Sequence, residues 1–210
     1  MLINKVLLAT DGSEDAELAA RAAADIAGGT DAELHLVHVW RLVPAYAAYP
    51  GVMWTDYSYL YEEEAKKLLK TESEKVKGLG VRVAGAHLVQ DSPVEGILKA
   101  CRDLRPDLLV MGSRGLGAFK RLALGSVSER VAHQAPCPVL LMRGGEEAWP
   151  PQRVVVGDDG SEAAAAAGAL AARIGGLFGA AGIVVRAFRG RPEPGEGWKG
   201  RGEELERTLY

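Results

Sequence analysis

The 210-residue chain is poor in the features that most quickly assign a class. It has two cysteines, Cys101 and Cys137, and neither has a CxxC partner. A metal site therefore has no ligand set to rest on, and the thiols read as small buried hydrophobes, a stray thiol of a reducing cytosol, or one disulfide with each other. Neither sign of charge dominates: 25 Lys and Arg face 28 Asp and Glu, for a formal net charge of -3. That balance makes no overall case for nucleic acid or an anionic membrane as partner, so any anion site must be local. No basic leader precedes the first apolar run, and Asp11 arrives too early for a signal peptide or a spanning helix. A soluble, cytoplasmic protein is expected.

The chain also lacks GxxxxGK[ST], and it lacks GxGxxG after its first strand, which removes a P-loop and a dinucleotide fingerprint. No catalytic set stands out. A hydrolase needs a placed base and usually acidic Mg²⁺ ligands, and Asp11 is a single carboxylate.

What is present is an alternation of strands and helices. Residues 5–9 are a short apolar run ending at Thr10-Asp11-Gly12-Ser13, a buried parallel strand and a turn in which Ser13 caps the next helix. Ala16, Ala19, Ala20, Ala23, Ile26 and Ala27 recur at helical spacing, with Gly28-Gly29 as the expected stop. A second strand spans 33–40 and carries His35 and His38, expected on one face and, without a third ligand, a poor metal site. Residues 41–59 form an aromatic-rich excursion, in which Tyr46, Tyr49, Trp54, Tyr57 and Tyr59 cover either a ligand or an edge or dimer seam. Helix 62–77 and strand 81–89 follow. Ser92-Pro93-Val94-Glu95 is a capping box with proline at the first helical position, and Val94, Ile97, Leu98, Cys101 and Leu104 make the stripe of its helix. A strand at 108–111, a glycine stretch, a helix from about 127 and a strand at 138–142 complete a doubly wound parallel sheet of five strands.

Residues 144–151 read as a linker, after which the sequence repeats itself at an offset of 148. Asp159-Gly-Ser-Glu162 falls on Asp11-Gly-Ser-Glu14, Val154 on Val6, Ile174 on Ile26 and Gly176 on Gly28. The expected organisation is a complete domain at 1–143, the linker at 144–151, a partial second repeat of strand, helix and strand at 152–188, and a disordered tail at 189–210 with at most a short helix at 203–209. The partial repeat is too small to bury a core alone, so it is expected to dock on the first domain or on a partner chain.

The organising stretch is Gly112-x2-Gly115-x9-Gly125-Ser126, strand, glycine loop and helix start, which are the parts of an anion site. In the order 3-2-1-4-5, strands 1 and 4 are neighbours and their carboxyl ends open the ligand crevice. Asp11 closes strand 1 and Gly112 closes strand 4, so two distant motifs converge. Other readings stay open beside this one. Ser126 with Glu129 is itself a capping box, Asp11 is also a turn residue whose counterpart Asp159 recurs without a glycine loop, and Arg114, Lys120 and Arg121 either neutralise phosphate or are merely solvated.

Asp11-Gly-Ser, Met111-Gly-Ser-Arg-Gly115, and Gly125-Ser126-Val127 leading into Pro136-Cys-Pro138 resemble the ATP-binding branch of the universal stress protein family, over residues 1–143. The resemblance implies an adenine nucleotide alpha hydrolase-like fold holding ATP, with or without Mg²⁺. It implies Ala9, Thr10 and Asp11 near adenine or ribose, Val39 against the adenine, Met111 and Gly112 on the base and ribose side, and Gly115, Gly125, Ser126 and Val127 on the phosphates. It implies a stress-linked sensor or regulator with little or no hydrolysis, and a homodimer or pseudo-dimer joined at the last strand. A slow ATPase or phosphotransferase, and an interaction protein with a vestigial pocket, are the alternatives.

Overall fold

The structure, a computed structural model, describes residues 2–41, 55–115, 124–144 and 149–186, with side chains from residue 59 onward in the second stretch. The chain divides into two compact units, Leu2–Glu147 and Ala148–Tyr210. Of the aromatic excursion, Tyr46, Tyr49, Trp54 and the side chain of Tyr57 lie outside the described residues, as do Lys120, Arg121 and the segment 187–210.

In the larger unit, β1 (Lys5–Ala9), β2 (Glu33–Trp40), β3 (Val83–Gln90), β4 (Leu108–Gly112) and β5 (Val139–Met142) form one parallel sheet in the order β3-β2-β1-β4-β5. Four helices connect them: α1 (Glu14–Thr30), α2 (Thr55–Gly78), α3 (Pro93–Leu104) and α4 (Ser126–Gln134). The central strands are buried on both faces, with Val6, Leu7, Leu8, Leu108, Leu109 and Val110 fully out of water. That is why they read as continuous apolar runs and not as alternations. On one face Leu7, Val37 and Leu109 pack with Val94, Ile97, Leu98 and Cys101 of α3 and with Val131 of α4.

Several local expectations needed revision. Helix α1 runs through Gly28-Gly29 to Thr30, and the left-handed residue that ends it is Asp31 at φ 55°. Glycine weakens a helix by roughly 1 kcal/mol without forcing it to stop, and Asp tolerates the left-handed region. Helix α2 begins at Thr55, seven residues before the expected 62, because no glycine or proline interrupts the chain between Gly51 and Gly78. Ser13 caps α1 as expected, accepting from Ala16 N at 3.3 Å. Ser92 holds the N-cap position of α3 but makes no side-chain cap bond, and its own N–H donates to Asp91 Oδ1 at 2.6 Å. The two cysteines are free thiols.

The smaller unit contains β6 (Arg153–Asp158), α5 (Glu162–Leu177) and β7 (Ala181–Arg186), with β6 and β7 paired in parallel. Its register reproduces that of β1 and β2 at an offset of 148: Val6 pairs Leu34 as Val154 pairs Gly182, and Leu7 pairs His35 as Val155 pairs Ile183. The turn is reproduced too. Asp11 Oδ1 accepts from Ser13 N at 3.1 Å and Asp159 Oδ1 from Ser161 N at 2.9 Å, with Gly12 at φ 76° and Gly160 at φ 82°. On the sheet face turned away from α5, Val155, Ile183 and Val185 are exposed, whereas Leu7 and Val37, their counterparts to Val155 and Val185, are core residues.

Among the described residues, no helix is long and apolar enough to cross a membrane.

Candidate functional site

At the carboxyl ends of β1, β2 and β4 the larger unit opens a cleft of about 640 Å³. Its apolar part is made by Ala9, Val37, Val39, Ile97 and Met111. Four of these five residues are at most 6% exposed, and Val39 is half-buried. Its polar part is made by Asp11, Gly112, Arg114, Gly115 and the first turn of α4, from Gly125 through Ser126 and Val127 to Ser128. Thr10 lines it as well. All ten residues singled out from the sequence therefore border one cleft.

Two glycines make this geometry possible by close approach. A β-carbon on Gly112 would stand 2.9 Å from Ala16 N and from the carbonyl carbon of Asp15, so only glycine lets the start of α1 press against the end of β4. A β-carbon on Gly115 would collide with Asp11 Oδ2. The loop after β4 thus passes directly over the Asp11 carboxylate.

Both ends of that loop are pinned. At the departing end, Ser113 N donates to Met142 O at 2.7 Å, Ser13 Oγ to Arg114 O at 3.2 Å, and Ser113 Oγ to Asp15 Oδ2 at 3.0 Å. At the returning end, Gly125 N donates to Ser113 O at 2.8 Å, and the buried Ser128 hydroxyl shares its proton between Ser113 O at 2.5 Å and Gly125 O at 2.9 Å. Gly125, not Ser126, is the N-cap of α4. The first helical bond is Glu129 N to Gly125 O at 3.0 Å, so the N–H groups of Ser126, Val127 and Ser128 have no acceptor within the helix. They carry the positive end of the helix dipole, roughly half a charge, toward the cleft.

Electrostatically the departing end is neutralised locally. Asp15, 6% exposed, takes Arg114 Nε at 3.1 Å and Nη2 at 3.3 Å in a forked pair. Burial works against the Asp15 charge, but the hydrogen bonds from Arg114 and Ser113 outweigh it and hold the carboxyl below its ordinary range. Arg114 is therefore neither simply solvated nor a bare cation. Arg41, at the end of β2, is a second cation on the cleft.

Thr10 is tied up on the other side of the sheet. Its N–H donates to Val37 O at 3.0 Å, its hydroxyl donates to the buried Glu72 at 3.2 Å, and its carbonyl accepts from His38 Nδ1 at 2.8 Å. Glu72 in turn pairs with Lys75 at 3.0 Å, and Lys75 with Glu17 at 2.7 Å. His35 and His38 do not share a face, because three is an odd step in a period of two. His35 Nδ1 meets His87 Nε2 of β3 at 3.1 Å instead, and burial together with the neighbouring His35 holds His87 below the usual imidazole range. Among the described residues no group of three or more His, Cys, Asp or Glu is arranged to hold a metal. Tyr59 is 63% exposed on α2 and does not line the cleft.

Sequence reasoning missed Asp15, Ser113 and Ser128, which fasten the loop, and Arg41, Pro93 and Ile97, which border the cleft. The Ser92-Pro93 helix start did contain the signal for the last two. A helix beginning after β3 must present its first turn to the carboxyl ends of the strands.

A parallel sheet in this order, with its cleft at the carboxyl ends of β1 and β4, is a doubly wound α/β domain whose crevice lies where ligands bind in such sheets. The model of the universal stress protein family matches residues 3–143, and the chain belongs to that family. A universal stress protein of Thermus aquaticus is 40% identical over 147 residues, spanning 68% of this chain and 100% of the relative. A universal stress protein from Archaeoglobus fulgidus shares the fold at a TM-score of 0.73 and 23% identity, over 97% of this chain and 72% of its own. Another, solved in complex with cAMP, shares it at a TM-score of 0.50 and 24% identity, over 68% of this chain and 98% of its own.

Proposed function

We propose that the cleft holds one adenine nucleotide per chain, ATP, and that the protein is a stress-linked sensor or regulator whose surface is set by that nucleotide. The observation that carries this reading is the meeting of two unlike walls within one cleft. The apolar slot of Ala9, Val37, Val39, Ile97 and Met111 suits a flat base, and the N–H groups of the first turn of α4, which have no acceptor within the helix, suit phosphate oxygens. Asp11 and the backbone at Gly112, which line the same cleft, are assigned to the ribose in this reading. The solved relative in complex with cAMP gives the fold a precedent for an adenine nucleotide.

In this reading Gly115, Gly125, Ser126 and Val127 take the phosphates through their N–H groups and the Ser126 hydroxyl. Mg²⁺ travels on the phosphates, since Asp11 is the one carboxylate lining the described cleft. Asp11 is given to the nucleoside side in this reading and not to activation of a water, and hydrolysis is proposed to be slow or absent. The protein is cytoplasmic, in keeping with two free thiols. It dimerises along β5, an edge strand on which Val139, Leu140 and Leu141 are only half-buried. The unit after the linker is a partial tandem repeat, and the nucleotide is assigned to the cleft of the larger unit, one per chain.

Denaturing the purified protein and separating the released nucleotides by chromatography tests the reading. Recovery of ATP near one equivalent supports a holding function. Recovery of ADP that accumulates with time points to the slow ATPase, and protein that neither releases nor takes up an adenine nucleotide overturns the proposal.

A further inference from the structure

Behind the cleft, on the side of α2, a buried carboxylate occupies a position where an apolar side chain would pack at lower cost. Glu72 is 3% exposed, and one turn before it Leu68 stands beside the turn 10–13, its Cδ1 3.4 Å from where a β-carbon on Gly12 would lie. Two successive turns of α2 therefore meet the turn that carries Asp11. Burying a charge is a poor source of stability even when it is paired, as Glu72 is with Lys75 at 3.0 Å. What the carboxylate adds to packing is direction. Its Oε2 accepts the proton of the Thr10 hydroxyl at 3.2 Å. A hydroxyl has one proton, so giving it to Glu72 turns the lone pairs of Thr10 Oγ1 toward Gly12 N, which donates to them at 3.2 Å. The turn closed by that bond is the one from which Asp11 Oδ2 meets Gly115.

The second unit supplies the comparison. At the offset of 148, the residue in the place of Thr10 is Asp158, whose Oδ1 accepts from Gly160 N at 2.8 Å. A carboxylate needs no acceptor behind it to make this bond, and Asp158 Oδ2 instead takes Arg186 of β7 at 3.2 Å. There the turn is closed from within its own strands. In the larger unit the closing bond is oriented from α2.

We propose that Glu72 is a positioning residue of the cleft, fixing through the Thr10 hydroxyl the turn that presents Asp11 to the nucleotide, so that the seating of α2 sets the affinity of the site. The inference rests on the reading of the cleft as an adenine-nucleotide site and names an element behind it that regulates it. Thr10 lines the cleft and Glu72 does not, so the effect of Glu72 reaches the nucleotide through Thr10.

The test measures the ATP affinity of full-length variants by calorimetry, beside their urea unfolding. A residue that only stabilises the fold moves the unfolding midpoint and leaves Kd unchanged while the protein remains folded. The expected result is a Kd raised roughly tenfold in Glu72→Ala, the scale of a hydrogen bond to a charged group. In Glu72→Gln, whose amide carbonyl still accepts from Thr10, Kd should stay within about twofold of wild type. Thr10→Val keeps the shape, removes the hydroxyl and should reproduce the loss, and the double variant of Thr10→Val with Glu72→Ala should bind no more weakly than either single one. An unchanged Kd in Glu72→Ala or Thr10→Val, additive losses in the double variant, or Glu72→Gln as weak as Glu72→Ala would each overturn the inference. Where Glu72→Ala fails to fold, Thr10→Val and Glu72→Gln decide it. Wild-type protein that binds no ATP would overturn the reading of the cleft and this inference with it, whereas wild-type binding with unchanged variants overturns this inference alone.

Discussion

The Asp11 carboxylate occupies the space that a β-carbon on Gly115 would need. Two residues more than a hundred positions apart are thereby fitted to each other at the mouth of the cleft. The same Asp11 keeps its turn bond to Ser13, which the second unit reproduces at Asp159 with no glycine loop among its described residues. The turn explains Asp11 Oδ1. Gly115 is what makes the other oxygen particular to this site.

Gly115→Ala should therefore push Asp11 and the loop apart. Nucleotide affinity is expected to fall by at least about tenfold, close to 1.4 kcal/mol, because the N–H groups of the loop and of α4 no longer converge. The fold should survive, since the clash is at a solvent-facing cleft. Isothermal calorimetry with ATP, beside far-UV circular dichroism of the variant, checks both halves.

Asp15→Asn should loosen the departing end of the loop. At pH 7 the loss is expected at about 2 kcal/mol, the scale of hydrogen bonds to a buried charged group. The folded protein holds this carboxyl below its ordinary value of 3.8. Its stabilisation is thus complete above the unfolded value and disappears as the pH falls through the lower, folded one. Urea unfolding at pH 7 and near pH 3 should show the gap between wild type and variant narrowing in acid.

Ser128→Ala removes the hydroxyl that ties the returning end to Ser113 and Gly125. A destabilisation of about 1 kcal/mol is expected from the lost bond. Nucleotide binding should weaken more than stability does, because α4 would no longer be held at one angle to the loop. Comparing the change in unfolding free energy with the change in Kd separates the two effects. Equal changes would mean that Ser128 serves stability alone.

Residues 2–147 should fold and bind without the rest of the chain. The family model matches residues 3–143, and all five strands of the larger sheet lie within them. A chain ended after Glu147 is expected to keep its cooperative melting transition and its Kd for ATP within about twofold, or about 0.4 kcal/mol. Loss of binding on truncation would move part of the site into the second unit.

Much of this was legible in the residues. Continuous apolar runs at β1 and β4 announced strands covered on both faces, and strand–helix alternation fixed a parallel sheet whose order places Asp11 beside Gly112. Local punctuation was less dependable. Gly28-Gly29 did not end α1, and Ser126 did not cap α4, because helix ends respond to neighbouring elements as well as to their own sequence. The fastening of the loop was hidden for another reason. Asp15, Ser113 and Ser128 are short polar residues that any turn or helix surface carries, and only tertiary contact gives them buried partners. The second unit teaches the same lesson in reverse. Its strand and helix are as readable as those of the first, but whether Val155 and Val185 are exposed or buried, as their counterparts Leu7 and Val37 are, depends on what packs on that face, which no local pattern records.

The central claim, one adenine nucleotide held across an apolar slot and a helix N-terminus, is most directly tested by calorimetric titration of nucleotide-free full-length protein with ATP and Mg²⁺. The account predicts saturable binding with a stoichiometry near one per chain, abolished or at least tenfold weaker in Gly115→Ala, a change of about 1.4 kcal/mol. Absence of heat together with absence of a thermal shift, or a stoichiometry near two, would contradict it.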